Sequence, residues 1–543
     1  MTKQKAQEMQ REGIKLNDEQ IRQFICDGVL VLNSGLSPDA NQQIFDKIKW
    51  NNDHEFNMGN NVLPRVAELQ QVLDSPVIHG AMQSILGDDY LLHPHRYMHA
   101  SEPLPEPERM RNLKGDEHGP PMGEGSSGNS TWHQDGQCPL GRARYHVPRM
   151  AMIIYFPQDT PAERGPTRVI PGTYLQACLS KDNYPYALVP DRIKAGTCLL
   201  LAFDIAHAAL SNQTNISRYM VKFVFMRTSH PTKSSWDGGN DPWQSPKERL
   251  GQFDHTRTWS YIWDWMRGAP RPTSSESRDI EQLLASLNGT DQKARLEAIY
   301  ELASMGAKAI ESLKESLLQT AGLGRQVTAK FLIDEYGAYV PEGDRFERRW
   351  NDIGFVPQDE AYALGSIGED AVSTLIELLG HTDPWIKINA AFALGEVGPP
   401  AARAMSDLAK LLDHELHQVA RIALDSMAYI GTNTRAALPA ISKLLTVSNP
   451  GWQNDSQRNS WSGENQAHFN ALCALYNSDI PKEEMEDLLV TCLDDTCGYI
   501  PGMALEILTR EDDIDESVGL MRALDYLKVH RWDDTLAKDY RVF

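Results

Sequence analysis

Five glycines, Gly306, Gly337, Gly368, Gly398 and Gly431, recur at spacings of 31, 31, 30 and 33 residues, and this period constrains the second half of the chain more than any other feature. The clearest copy of the repeating unit is Asp383-Pro384-Trp385-Ile386-Lys387-Ile388-Asn389-Ala390-Ala391-Phe392-Ala393-Leu394-Gly395-Glu396-Val397-Gly398. Ala363–Gly368, Leu302–Gly306 and Met427–Gly431 echo its end, and a second apolar stretch follows each time, as at Ala371–Leu379 and Ala401–Leu412. Small Ala and Gly positions let paired helices approach closely, and a glycine supplies the turn between them. One pair cannot bury its own apolar stripe, so the pairs must stack into a solenoid. Four to five units are readable, and the segment from Asn465 onward reads as degenerate or capping repeats.

A chain of 543 residues exceeds one core, and its first 280 residues follow other rules. Asn17-Asp18-Glu19-Gln20 opens a capped amphipathic helix, Gly28–Leu32 a short strand, and Ser37-Pro38-Asp39 a second helix. Tyr90–Ala100 alternates enough to be a strand, and apolar β-type runs follow at Arg149–Phe156, Thr167–Ile170, Thr197–Phe203 and Tyr219–Met226, broken by Gly and Pro turns. Glu102–Asn129, rich in Pro, Gly, Ser and charge, reads as a long loop. Short strands behind helices predict a β-sandwich or barrel with helices outside. The expected division is 1–235 for this domain, 236–279 for an extension and linker rich in Trp, Pro and Ser, and 280–543 for the repeats.

Charge is uneven. Residues 1–280 carry 30 Lys and Arg against 32 Asp and Glu, and residues 281–543 carry 23 against 42, so the acidity belongs to the repeats. Such a surface repels phosphate backbones and argues against a nucleic-acid partner. Met1–Lys15 has no apolar core of a secretory signal, and no run of 18 apolar residues occurs, so no membrane partner is expected. Seven scattered cysteines without a Cys-x-x-Cys pair fit a reducing compartment, and the expected location is the cytoplasm.

The chemistry concentrates in Trp132-His133-Gln134-Asp135, His207 and Arg218. Two imidazoles and a carboxylate on one face of an octahedron hold non-haem iron(II) and leave three positions open. His133 and Asp135, two apart in an expected strand, face the same side, and His207, just after the apolar run Cys198–Phe203, can supply the third ligand. Arg218 follows by eleven residues, and its planar guanidinium suits bidentate capture of a carboxylate. In Leu91–His99, alternation puts His93, His95, Tyr97 and His99 on one strand face and Arg96 and Met98 on the other. His95, Arg96 and Tyr97 are pocket candidates.

Several ordered matches reach a known family. Leu16–Gln20 with Phe24 and Asp27–Val31, Ile85–Asp89, His133–Asp135, Gly165–Thr173, and His207 with Asn212–Thr214 and Arg218 resemble the phytanoyl-CoA dioxygenase family of 2-oxoglutarate oxygenases, over most of residues 15–230. The resemblance implies a double-stranded β-helix (jelly roll), with iron(II) held by His133, Asp135 and His207. It implies 2-oxoglutarate as cosubstrate, anchored by Arg218. The implied activity is a dioxygenase that hydroxylates a substrate C–H bond and releases succinate and CO₂. Halogenating relatives replace the carboxylate ligand, so Asp135 points to hydroxylation; desaturation, epoxidation and ring closure start from the same oxidant and stay open. The repeats resemble the HEAT-like family, which implies a surface for a protein partner. An alternative function follows, a HEAT-repeat interaction scaffold whose oxygenase domain is degenerate. The expected substrate is a small molecule, or one borne on a carrier.

Overall fold

The computed structural model describes residues 13–54, 58–103, 132, 134–135, 144–177, 181–210, 212–270, 279–322, 331–333, 339–341, 349–350, 355–453 and 462–509. Helix α1 (Asp18–Asp27) starts where the sequence predicts. The Asn17 side chain accepts from the Gln20 N–H at 3.0 Å, and the Gln20 side chain accepts from the Asn17 N–H at 3.1 Å. Gly28, at φ 69°, ends the helix and turns the chain directly into β1 (Val29–Asn33).

The remaining strands of the first half are β2 (Leu91–Ser101), β3 (Met150–Tyr155), β4 (Thr160–Pro161), β5 (Thr167–Ile170), β6 (Arg192–Ile193), β7 (Thr197–Ala202), β8 (Ala206–Ala209) and β9 (Arg218–Met226). They build a five-stranded antiparallel sheet in the order β1-β7-β3-β9-β2 and two short ladders, β5-β8 and β4-β6. This is the expected jelly-roll, cupin-like β core. Helices α2 (Pro38–His54) and α3 (Pro76–Leu86) pack on the five-stranded sheet. β3, β7 and β9 are almost wholly buried, as their unbroken apolar runs require of central strands. β8 was not anticipated; its Ala-rich sequence has weak strand propensity, and pairing with β5 decides its conformation.

Segment 236–279, expected as extension and linker, carries a packed helix, α4 (Thr256–Met266). Trp259, Trp263 and Trp265 are buried in the common core, and Trp236 and Trp263 lie 5.2 Å apart between ring centroids.

The repeats form two rows of helices. The inner row is α6 (Gln292–Ser304), α8 (Asp359–Ile367), α10 (Pro384–Val397), α12 (His417–Ile430), α14 (Gly463–Tyr476) and α16 (Tyr499–Thr509). α5 (Ile280–Leu287) precedes them, and the outer row is α7 (Ile310–Leu318), α9 (Val372–Leu379), α11 (Met405–Lys410), α13 (Leu438–Thr446) and α15 (Glu486–Cys492). Gly306, Gly368, Gly398 and Gly431 stand at inner-row C-termini with φ of 61°, 96°, 77° and 66°, the left-handed region that the turn demands. A Cβ on Gly395 would meet Ser426 at 3.0 Å, so that glycine sets how closely α10 and α12 approach.

Gly337 lies outside the described residues, and the described residues around it are short strands. Phe331–Ile333 pairs with Tyr339–Pro341, and Arg349–Trp350 with Phe355–Val356. The stretch shares only the glycine with the repeat unit; its aromatic and β-branched residues and Pro341 favour short ladders over an Ala-lined helix. No helix among the described residues is long and apolar enough to cross a membrane.

Every inner-row helix touches the β domain. Tyr300 in α6 and Tyr362 in α8 take hold of segment 144–146. The Tyr300 hydroxyl is 2.7 Å from His146 Nδ1, the Tyr362 hydroxyl donates to the Arg144 carbonyl at 2.7 Å, and the Tyr362 ring stacks on His146 at 4.1 Å. Phe392 in α10 stacks on Tyr145, whose hydroxyl donates to Asp425 in α12. Glu396 in α10 pairs with Arg149 at 3.2 Å, both about 2% exposed or less, and the guanidinium lies 3.8 Å from the Tyr429 ring centre in α12. Phe469 in α14 packs on His93, and the Tyr499 hydroxyl in α16 is 3.0 Å from His95 Nδ1. α16 thereby covers β2, which is an edge of the five-stranded sheet.

Two stability tests follow. Glu396→Ala strands a buried guanidinium and costs about 3–5 kcal/mol in urea unfolding, part of which returns in Arg149→Met/Glu396→Met. His255 is 1% exposed and stacks on Phe253; burial pulls its pKa from 6.5 to about 4. Between those pH values the unfolded ring binds a proton that the folded one refuses, so stability falls as pH falls through that window, by up to about 3 kcal/mol. His255→Phe removes this component of the pH dependence of unfolding.

Candidate active site

Trp132, fully buried, packs with Ile170, Ala206 and Ala208 in a small core on the β5-β8 ladder. Beside it the Gln134 side-chain amide lies 3.0–3.2 Å from three carbonyls, those of Thr173, Gln176 and Asp204. These bonds anchor the chain without a ladder, and Asp135 stands in a 3₁₀ turn where the sequence suggested a strand. His133 lies outside the described residues, as does nearly all of the loop Glu102–Asn129.

Asp135 and His207 come together as expected. Both are buried, with Asp135 Oδ2 3.8 Å from His207 Nε2. His207 sits on β8 opposite Val169, and its Nδ1 lies 3.0 Å from the Ile205 carbonyl. A carbonyl only accepts, so Nδ1 carries the proton and Nε2 keeps a lone pair directed at the Asp135 side, the tautomer a metal ligand needs. Among the described residues no three His, Cys, Asp or Glu side chains form a metal-binding group.

Arg218 opens β9 opposite Ser101 of β2 and is 1% exposed. Its Nε donates to the Gly165 carbonyl at 3.0 Å, whereas Nη1 is buried with no hydrogen-bond partner among the described residues. Burial draws the guanidinium pKa down to about 10. A desolvated cation with a donor unused is a site that gains from an anion. The turn leading into it is fixed by Asn212, whose amide donates to the carbonyls of Ser101 and Ile216 and whose oxygen accepts from Thr214.

The register of β2 on β9 sorts the pocket candidates. Tyr97 lies opposite Lys222, His99 opposite Met220 and Ser101 opposite Arg218, so these side chains share a face. His95 is 1% exposed, stacks parallel to Tyr97 with centroids 6.1 Å apart, and is held well below its usual pKa by burial, with the charge of Lys222 adding to the effect. Arg96 pairs in register with Phe223 and faces the other side of the sheet; burial lowers its pKa and Glu506 opposes that shift. The structure therefore separates Arg96 from His95 and Tyr97.

Two residues escaped the sequence reading. Gln134 was seen only as the middle of the motif. Lys222 is buried and donates to Asp135 Oδ2 at 3.1 Å. Its signal was available, since a lysine stands at the centre of the otherwise apolar run Tyr219-Met220-Val221-Lys222-Phe223-Val224-Phe225.

Residues 24–220 match the family model of phytanoyl-CoA dioxygenase (PhyH), and residues 360–428 match that of HEAT repeats. No curated protein sequence matches the chain. Similar solved structures include the non-heme alpha ketoglutarate dependent epimerase SnoN from nogalamycin biosynthesis, at 16% identity over 39% of this chain and 82% of that one, with a TM-score of 0.29. The carbocyclase SnoK from the same biosynthesis aligns at 15% over 39% and 85%, with a TM-score of 0.30. AviO1 from Streptomyces viridochromogenes Tue57 aligns at 13% over 38% and 92%, with a TM-score of 0.27. The chain thus carries a phytanoyl-CoA dioxygenase (PhyH) domain, followed by HEAT repeats.

Proposed function

We propose that this protein is an iron(II)- and 2-oxoglutarate-dependent oxygenase that hydroxylates a C–H bond of a small-molecule or carrier-borne substrate. One O₂ is consumed: one oxygen atom enters the substrate as hydroxyl, the other enters succinate, and 2-oxoglutarate loses CO₂. The observation that carries the reading is the closeness of a buried carboxylate and an imidazole whose Nδ1, not Nε2, carries the proton, Asp135 and His207. Their donor set, completed by His133 of the sequence motif, suits iron(II), which supplies the oxygen chemistry when bound. Asp135 and His207 hold the metal; Gln134 fixes the backbone between its ligands; Arg218, with Nη1 unused, holds the distal carboxylate of 2-oxoglutarate. Trp132, Ile170, Ala206 and Ala208 keep water from that side of the site.

The domain division 1–235, 236–279 and 280–543 is part of this proposal, as is a role for the repeats in meeting a protein partner. The inner row is spent on the β domain, which favours the outer row for such a partner. A degenerate oxygenase domain gains no support from a buried Arg218 that keeps a donor aimed at no described acceptor.

Anaerobic addition of iron(II) and 2-oxoglutarate to the full-length protein should raise a weak visible charge-transfer band; a flat spectrum at saturating concentrations counts against the proposal. Asp135→Ala and His207→Ala should each abolish both the band and substrate-independent succinate formation, and turnover equal to wild type in either variant refutes the ligand assignment. Arg218→Met should raise the half-saturating 2-oxoglutarate concentration about ten- to a hundredfold, the loss of one charge-assisted contact. An unaltered concentration dependence removes Arg218 from the cosubstrate site.

A further inference from the structure

Lys222 is the one lysine among the described residues that is buried. Lysine rarely enters a core without a counter-charge, and the partner here is Asp135 Oδ2 at 3.1 Å. On β9 it lies four residues beyond Arg218 on the same face, opposite Tyr97 of β2 and beside Ile154 of β3. Their Cα atoms are therefore about 13 Å apart along the strand, so the two cations answer to different anions. The other side chains on this face, Tyr97, His99 and Met220, bring no carboxylate. Two buried cations thus stand against one carboxylate among the described groups of this face.

That balance shifts when Asp135 serves as a metal ligand. Its negative charge is then shared with a dication, and the dication itself repels the ammonium. 2-Oxoglutarate adds two negative charges, one at the chelate and one at Arg218, and neither belongs to Lys222. Iron(II), Lys222 and Arg218 sum to four positive charges, and Asp135 with 2-oxoglutarate to three negative ones. Among these groups one positive charge remains, at buried Lys222 in the middle of β9, away from the cosubstrate anchor. An anion beside Lys222 removes this penalty, and a neutral molecule leaves it in place.

We propose that Lys222 is a substrate-specificity residue that receives an oxyanion group, carboxylate, phosphate or sulfonate, of the primary substrate. This rests on the oxygenase reading above and narrows its substrate to an anionic small molecule. The rival role for Lys222 is only to orient Asp135.

The test uses full-length protein loaded with redox-inert Zn(II), with and without 2-oxoglutarate, so that binding is read apart from turnover. Ligand-observed NMR screens small carboxylates, phosphates and sulfonates, each against its neutral amide or alcohol counterpart. The expected binders are anions. Their affinity should fall about ten- to a hundredfold in Lys222→Met, as for the loss of one charge-assisted hydrogen bond, and recover in Lys222→Arg, while any neutral binder is unaffected. Lys222→Gln accompanies Lys222→Met in case the latter unfolds, as thermal melts will show. The proposal is overturned if no anion binds wild type, if neutral and anionic members bind alike, or if the variants lose Zn(II) affinity with anion preference intact. Failure of the cosubstrate reading is separate: the zinc-loaded protein would then not bind 2-oxoglutarate, whatever the anion arm reports.

Discussion

The stacking of four helices, α6, α8, α10 and α12, against one strip of β-domain backbone is the constraint on which the rest of this molecule depends. Residues 144–149 leave the region of Asp135 and lead into β3, and they are held by Tyr300, Tyr362, Phe392, Glu396, Asp425 and Tyr429, each from the repeat array. The strongest point is Arg149, with a carboxylate and aromatic faces around a guanidinium excluded from water. Such a pair contributes little net stability, since desolvation consumes most of its attraction, but it tolerates no misplacement. The solenoid therefore holds the segment that leads into β3, a central strand of the sheet.

The jelly roll and the repeats were legible because both are written in periodicity. Alternation and apolar runs gave the strands, and left-handed glycines gave the turns at Gly306, Gly368, Gly398 and Gly431. Gly337 itself lies outside the described residues, and the described residues nearest to it, Phe331–Ile333 and Tyr339–Pro341, are strands. β8 was invisible because its four residues form a strand only with β5 beside them. The packed helix α4 was hidden in a composition of Trp, Pro and Ser that reads as a linker until its indoles find a core.

At the site, motif residues could be named while their surroundings could not. Asp135 and His207 were found by spacing, and the structure brings them within 3.8 Å. The carbonyl that sets the His207 tautomer, the three carbonyls that hold Gln134 and the ammonium on Asp135 come from residues distant in sequence, and no local pattern predicts such convergence. Arg96 illustrates the reverse, since adjacency to His95 and Tyr97 in sequence places it on the opposite face of the sheet.

In many solenoids the number of units is free to drift, because each added pair of helices only lengthens a binding surface. Here one row of helices is matched, rung by rung, to fixed points on a neighbouring barrel. Gaining or losing a unit would slide every later rung past its mark, and Tyr499 would no longer arrive at His95. The array behaves as a ruler whose length the barrel sets, and extra residues fit between rungs, as the small ladders around Phe331–Val356 do.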